Sequence, residues 1–279
     1  MIPLLYNLFV TPLSKHYHVK KEVGRGGFGK VYLVQRKSDK ILFAAKKTDL
    51  NTQKMIKTPT ETIPFEIYLL SKLSHPNIIT QHEYLKTKHH WVSILDYNKD
   101  YTDLHSFINK HGPLTEARAR IIFKQVLSAI TYCLSQCVDH RDIKAENILL
   151  HKDTLHVKII DFGSATFYTK GQSYTSGSGT AVYLPPEYFN TKSYTPIEST
   201  VWSLGCLLYC MVAATCPFND TAEVMMKEIE TIEGVSRECS ELIKSSLNKS
   251  RVKRMQFNDI SQNQWMLTRK VKVKKVCLL

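Results

Sequence analysis

The stretch Asp139-His140-Arg141-Asp142-Ile143-Lys144-Ala145-Glu146-Asn147-Ile148-Leu149-Leu150 decides how this chain is read. It sets a carboxylate at Asp142, a cation at Lys144 and an amide at Asn147 in one short segment, and Asp161-Phe162-Gly163 follows. Each of these residue types has a use in moving a phosphoryl group, a reaction that needs positioning and charge stabilisation more than covalent chemistry. Asp142 can orient an attacking hydroxyl. Lys144 can offset charge that builds on the transferred group. Asn147 and Asp161 are the hard oxygen ligands that suit Mg²⁺. His-Arg-Asp alone would carry little weight; the ordered set carries much more.

Upstream, the chain holds groups that suit a nucleotide. Gly24-Arg25-Gly26-Gly27-Phe28-Gly29-Lys30-Val31 has the pattern G-x-G-x-x-G-x-V, in which glycines let the backbone approach phosphates and aim N–H groups at them. A dinucleotide fold uses similar glycines, but there they lead into a helix. Here Val31-Tyr32-Leu33-Val34 continues as a β-rich run, so a strand–loop–strand flap over ATP is expected, with Phe28 at its tip. Phe43-Ala44-Ala45-Lys46 reads as a strand whose Lys46 faces phosphate oxygens while Lys47 points to the other side. Ala44 is small, as a flat base above it requires. Residues 63–73 show helical periodicity, and Glu66 lies in an otherwise apolar face. A buried carboxylate wants a cation, and Lys46 is the natural partner.

The chain has 279 residues, enough for one large domain or a two-lobed fold, and its 43% hydrophobic content is ordinary. No apolar run suggests a membrane span or a secretory signal. The seven cysteines are scattered without a Cys-x-x-Cys pair, which implies reduced thiols packed in a core and a cytoplasmic or nuclear setting. The net charge of +13 raises nucleic-acid binding, but no nucleic-acid module is recognisable, so a basic surface with a basic tail is expected and no specific nucleic-acid partner. Residues 91–95 read as a strand, 115–134 as a long helix capped by Thr115, and 201–212 as an apolar core helix. Residues 164–186 are rich in Gly, Ser, Thr and Tyr and read as a mobile segment with modifiable hydroxyls, closed by Pro185-Pro186-Glu187, for which Arg254 is a candidate buried partner.

From Tyr17 to Met266 the chain resembles a eukaryotic protein kinase. Lys144 and Thr180 resemble the serine/threonine class. Within it the chain is similar to the Pim family, on Val23–Gly29, Lys144–Leu149, Ile160–Ser164, Tyr174-Thr175, Val182–Glu187, Val201–Gly205 and Val235–Cys239. The resemblance implies an α+β, two-lobed kinase fold: a short extension at 1–16, a kinase domain at 17–266 and a basic tail at 267–279. Within the domain it implies a β-rich lobe at 17–95, a hinge at 96–103 and a mainly helical lobe at 104–266, with ATP and Mg²⁺ held between the lobes. Asp142, Lys144, Lys46 and Glu66 would be catalytic. Val23, Gly24, Arg25, Gly26, Gly27, Phe28, Gly29, Val31, Ala44, Lys46, Asp96 and Leu149 would bind the nucleotide. Asn147 and Asp161 would hold the metal. The partners would be proteins with Ser or Thr near basic residues, and the chain would act as a monomer.

The chain departs from this family at several positions. Thr200 stands where most kinases, though not Pim kinases, have an aspartate that anchors the catalytic loop. Asn98 stands where Pim kinases have a hinge proline, which restores a possible donor to adenine. Ser176 and Ser178 replace acidic residues, which would leave Arg141 without a carboxylate unless phosphorylation supplies an anion. Glu146 and Asp103 match acids that read basic residues in a substrate, while Ser106 and Ala145 replace others, so a weakened basophilic preference is expected. The rival reading is a pseudokinase that binds nucleotide or partners without turnover. Its usual mark is loss of a catalytic residue, and Lys46, Asp142, Asn147 and Asp161 are all present.

Overall fold

Strand-forming residues from Tyr17 onward pair with their sequence neighbours, because short connections favour antiparallel ladders. The computed structural model describes residues 12–26, 29–49, 54–87 and 90–268. Gly27, Phe28 and the basic tail beyond Thr268 lie outside the described residues. Two units divide the chain: Met1–Tyr101 with Ile160–Gly163, and Thr102–Ile159 with Ser164–Leu279. The sequence thus opens with an N-terminal antiparallel sheet and continues into a mainly helical region, as a kinase fold requires.

In the first unit, β1 (Tyr17–Gly26), β2 (Gly29–Arg36), β3 (Leu42–Asp49), β4 (Gln81–Lys86) and β5 (His90–Asp96) form one sheet in the order β1-β2-β3-β5-β4. Its register sorts the side chains. Directly opposed residues share a face, so Val31, Lys46 and Ser93 line up, as do Leu33, Ala44 and Leu95. The other face carries Val34, Phe43, Ala45, Val92 and Ile94, which pack with Leu13 and Tyr17 as a core. One face is therefore committed to folding, and the other is left to chemistry. Lys47 falls on the core side of this division, with its Nζ 4.9 Å from the centre of the Tyr32 ring. Helix α2 (Phe65–Lys72) is shorter than the periodicity implied, because Ile63 and Pro64 belong to a small strand that pairs with Met55–Lys57.

The second unit is built around α4 (Glu116–Ser135) and α6 (Pro196–Ala213). Helix α6 buries Val201, Trp202, Leu204, Leu207, Leu208 and Met211 almost completely. Each such side chain contributes about 1.5–3 kcal/mol on burial, against about 0–1 kcal/mol for an exposed ion pair, so this helix decides the stability of the unit. It is long and apolar enough to cross a membrane by composition, but it is a buried core helix. Thr115 sits at the N-cap of α4 without a capping side-chain bond. Glu116 fills that end instead, accepting from the Ser236 backbone N–H, the Ser236 hydroxyl and the Trp265 indole at 2.6–2.7 Å. Burial opposes its charge, but these donors hold its carboxyl below the ordinary range. Arg254 grips Glu187 through two bonds of 2.7 Å, both groups buried, as the sequence suggested.

Candidate active site

Lys46 is the centre of the first unit. Strand β3 holds it on the sheet face opposite the core, and its Nζ donates to Glu66 Oε1 at 2.7 Å and to Asp161 Oδ1 at 2.8 Å. Burial opposes the lysine's charge, yet the two carboxylates more than offset this and hold its pKa above the ordinary value. Glu66 is itself buried, with its second oxygen unpartnered, so removing Lys46 would strand a charge. Asp161 reaches Lys46 from a left-handed backbone position (φ 62°), and Ile160–Gly163 groups with this unit. A non-glycine residue held there stores about 1–3 kcal/mol of strain.

The glycine strand shows a related economy. Gly29 has φ 146°, and a Cβ there would lie 1.9 Å from the Lys47 carbonyl oxygen, so only glycine fits where β2 leaves the turn. Gly24 pairs with Val31, and Arg25 with Lys30. Arg25 is exposed and paired with Glu22 at 3.1 Å. Val23 occupies a bulge in β1 and is 40% exposed. Val31 and Ala44 are half-buried on the Lys46 face. Asp96 ends β5. Its backbone N–H donates to the Thr80 carbonyl, and its carboxylate meets His82 Nε2 at 2.5 Å. Asn98 accepts from the Asp100 and Tyr101 backbone N–H groups and so shapes the turn that follows.

Asp142 is the centre of the second unit. It is buried, and four groups fix it. Asn147 Nδ2 donates to its carbonyl at 2.8 Å and to Oδ2 at 2.9 Å. The Thr180 backbone N–H and hydroxyl donate to Oδ1 at 3.1 and 3.2 Å. Lys144 Nζ lies 3.0 Å from Oδ2 and donates to Thr180 Oγ at 2.7 Å. The Asp142 backbone N–H donates to His140 Nδ1 at 3.3 Å. Thr180 thus touches both Asp142 and Lys144. Leu149 is half-buried on the strand that follows Asn147.

Reading the sequence missed the roles of four residues here. Gly179 has φ 83°, and a Cβ on it would lie 2.5 Å from the Arg141 carbonyl and 2.9 Å from Asp142 Oδ1. The glycine before Thr180 was the only available signal. Asp139 is fully buried, and its Oδ1 accepts from the Arg141 backbone N–H at 3.2 Å and from Thr200 Oγ at 3.4 Å. It thereby ties the catalytic-loop stretch to α6 from within that stretch. Tyr174 and Tyr194 hold Arg141: its guanidinium carbon sits 4.3 Å over the Tyr174 ring, and it donates to the Tyr194 hydroxyl and the Ser176 carbonyl at 2.8 Å.

The donors suit the groups a kinase uses. In the second unit the Asn147 amide gives its N–H₂ to Asp142, which leaves its carbonyl oxygen as a possible metal donor; in the first unit Asp161 offers carboxylate oxygen. Among the described residues no cluster of three or more His, Cys, Asp or Glu could hold a metal alone. Amide and carboxylate oxygens are the hard donors that Mg²⁺ takes, one or two at a time, together with substrate phosphates.

Comparison with known proteins gives the family. The family description "Protein kinase domain" matches residues 17–266, so the chain belongs to the protein kinase family. Serine/threonine-protein kinase pim-2 of Danio rerio is 35% identical over 266 residues, covering 91% of this chain and 86% of that protein. Serine/threonine-protein kinase SIK1 of Mus musculus is 32% identical over 90% of this chain, which spans only 32% of SIK1. The prk-2 kinase of Caenorhabditis elegans is 32% identical, over 92% of this chain and 59% of its own length. The chain is a serine/threonine protein kinase, Pim-like at moderate identity.

Proposed function

We propose that this kinase transfers the γ-phosphate of Mg-ATP to Ser and Thr hydroxyls that lie near basic residues. The observation that carries the reading is Asp142, a buried carboxylate fixed by Asn147, Thr180 and Lys144. A carboxylate held this rigidly can accept the proton of an attacking hydroxyl while keeping its oxygen in line. Lys144, beside it, offsets charge on the group in transit. In the first unit, Lys46 is aligned by Glu66 and carries a cation suited to phosphate oxygens, in a strand next to the glycine turn. Asn147 and Asp161 would hold Mg²⁺, which supplies neutralisation of phosphate charge when bound.

Glu146 is exposed and Asp103 half-buried, so both can meet a basic peptide. Asp103 is partly committed, because its Oδ1 caps helix α3 (Leu104–His111) by accepting the Ser106 N–H at 2.7 Å. That supports a basic preference weaker than one read by fully available acids. The free thiols of the described cysteines support a cytoplasmic or nuclear setting.

The test is an ATP-labelling assay on a peptide panel that varies Arg upstream of the acceptor. Lys46→Met should lower kcat/KM by at least about 100-fold, the size expected for a preorganised charge. A panel with no preference for upstream Arg would remove the basophilic part. Nucleotide binding without labelling of any acceptor would turn the reading into the pseudokinase.

A further inference from the structure

Helix α6 ends at Ala213, and Ala214 takes a left-handed turn (φ 56°) that doubles the chain back on the helix end. This brings Cys216, which is exposed, to a sulfur–sulfur distance of 3.8 Å from Cys210, which is buried on α6. Cys210 donates its S–H to the Cys216 sulfur. On its other side Cys210 lies 3.5 Å from the Tyr183 hydroxyl. Tyr183 closes the short turn Ala181–Tyr183 that follows Thr180, and its carbonyl accepts from Ser203 Oγ of α6 at 3.3 Å.

The two thiols have unequal chemistry. The hydrogen bond from Cys210, helped by Tyr183 and His105, lowers the Cys216 thiol below its ordinary range, against burial and the charge of Glu146. Cys210 is pushed the other way, by that same bond and by burial. An exposed sulfur with thiolate character attacks oxidants, and a shielded thiol in contact with it can resolve the product.

We propose that Cys216 and Cys210 form a peroxide-sensitive pair that closes to a disulfide and disturbs the Tyr183 turn. The Cys216 thiolate attacks a peroxide oxygen, the O–O bond breaks, and Cys216 becomes a sulfenic acid while the leaving oxygen takes a proton to form water. Cys210 sulfur then attacks the sulfenic sulfur, the S–S bond forms and a second water leaves. Two thiols are oxidised and one peroxide is reduced; a thiol reductant reverses the step. Closing the sulfurs from 3.8 Å to the roughly 2.05 Å of a disulfide pulls Cys210 off the Tyr183 hydroxyl and draws Cys216 inward near Glu146. The effect on substrate rests on the proposed peptide-binding role of Glu146; the disulfide itself does not.

The test treats the intact chain with hydrogen peroxide, blocks remaining thiols and maps peptides without reduction. The expected result is a Cys210–Cys216 linked pair, lighter by two hydrogens and released by dithiothreitol. Cys210→Ser should instead accumulate a sulfenic acid at Cys216 that dimedone traps. Cys216→Ser should give neither product, and Cys137→Ser, at another exposed thiol, should leave the link intact. In the kinetic arm, the oxidised wild type should show a peptide KM raised about threefold or more with the ATP KM unchanged, and Cys216→Ser should show no change. Peroxide that modifies Cys137 while leaving 210 and 216 unlinked overturns the pair. A link that moves neither constant overturns the coupling to Tyr183. Labelling of basic peptides by the reduced chain keeps the kinase reading standing in either case.

Discussion

Asp139 is the residue whose environment differs most from its chemistry. Burial pushes its carboxyl from 3.8 up to about 6, and the nearby Arg141 offsets this only in part. The Thr200 hydroxyl, the Tyr174 and Tyr194 rings, Tyr168 and the Cys133 thiol surround it, and its Oδ2 has no hydrogen-bond partner. A raised folded-state value reverses the usual carboxylate rule: the folded chain keeps a proton that the unfolded chain has released. The contribution of Asp139 to stability should therefore fall as pH rises from about 4 to about 6, by about 3 kcal/mol, and level off above. Denaturant unfolding of wild type and Asp139→Asn across that window checks this. The difference between them should shift against the wild type as pH rises, and a flat difference would take Asp139 out of the titration. Gly179 belongs at the same scale. Gly179→Ala must adopt a strained φ and crowd the Arg141 carbonyl and Asp142. Because sub-ångström misplacement of a reacting group is costly, kcat should drop about tenfold or more with the ATP KM little changed, as steady-state kinetics would show.

At the scale of elements, the ties between segments determine which sequence signals are real. Thr115 looks like a helix cap but makes no capping bond, so Thr115→Ala should cost less than about 0.5 kcal/mol, whereas Asp103→Ala, which loses a real cap, should cost about 1 kcal/mol in urea unfolding. Removing one partner of the buried Glu187–Arg254 clamp leaves a charge without water, so Arg254→Leu should cost about 3–5 kcal/mol by the same measurement. The segment after Asp161 is more anchored than its composition suggests. Arg141, expected to need an added anion, already stacks on Tyr174 and donates to Tyr194 and Ser176. Ser178→Asp should accordingly match the activity of unphosphorylated wild type, while Tyr174→Ala, which removes the stacked ring, should lower it. An aspartate variant several-fold more active would restore the phosphate requirement.

At the scale of the whole molecule, the sequence by itself determined the family and most of the residues proposed to carry its chemistry. Lys46, Glu66, Asp142, Lys144, Asn147 and Asp161 are legible because phosphoryl transfer demands a few charged groups at set intervals, and strand alternation and helical periodicity show on which side they fall. The core of α6 was legible for the same reason: an apolar run must be buried. What the tertiary structure alone decided is how distant segments satisfy one another. Glu116 finding Ser236 and Trp265, Asp139 finding Thr200, Arg141 finding an aromatic cage, and Cys216 meeting Cys210 across a left-handed turn all join groups whose need for a partner is plain locally. A buried polar group must be paired, but its residue type does not say with whom. That choice is made when the chain closes, by whichever donor or acceptor the packing brings within reach.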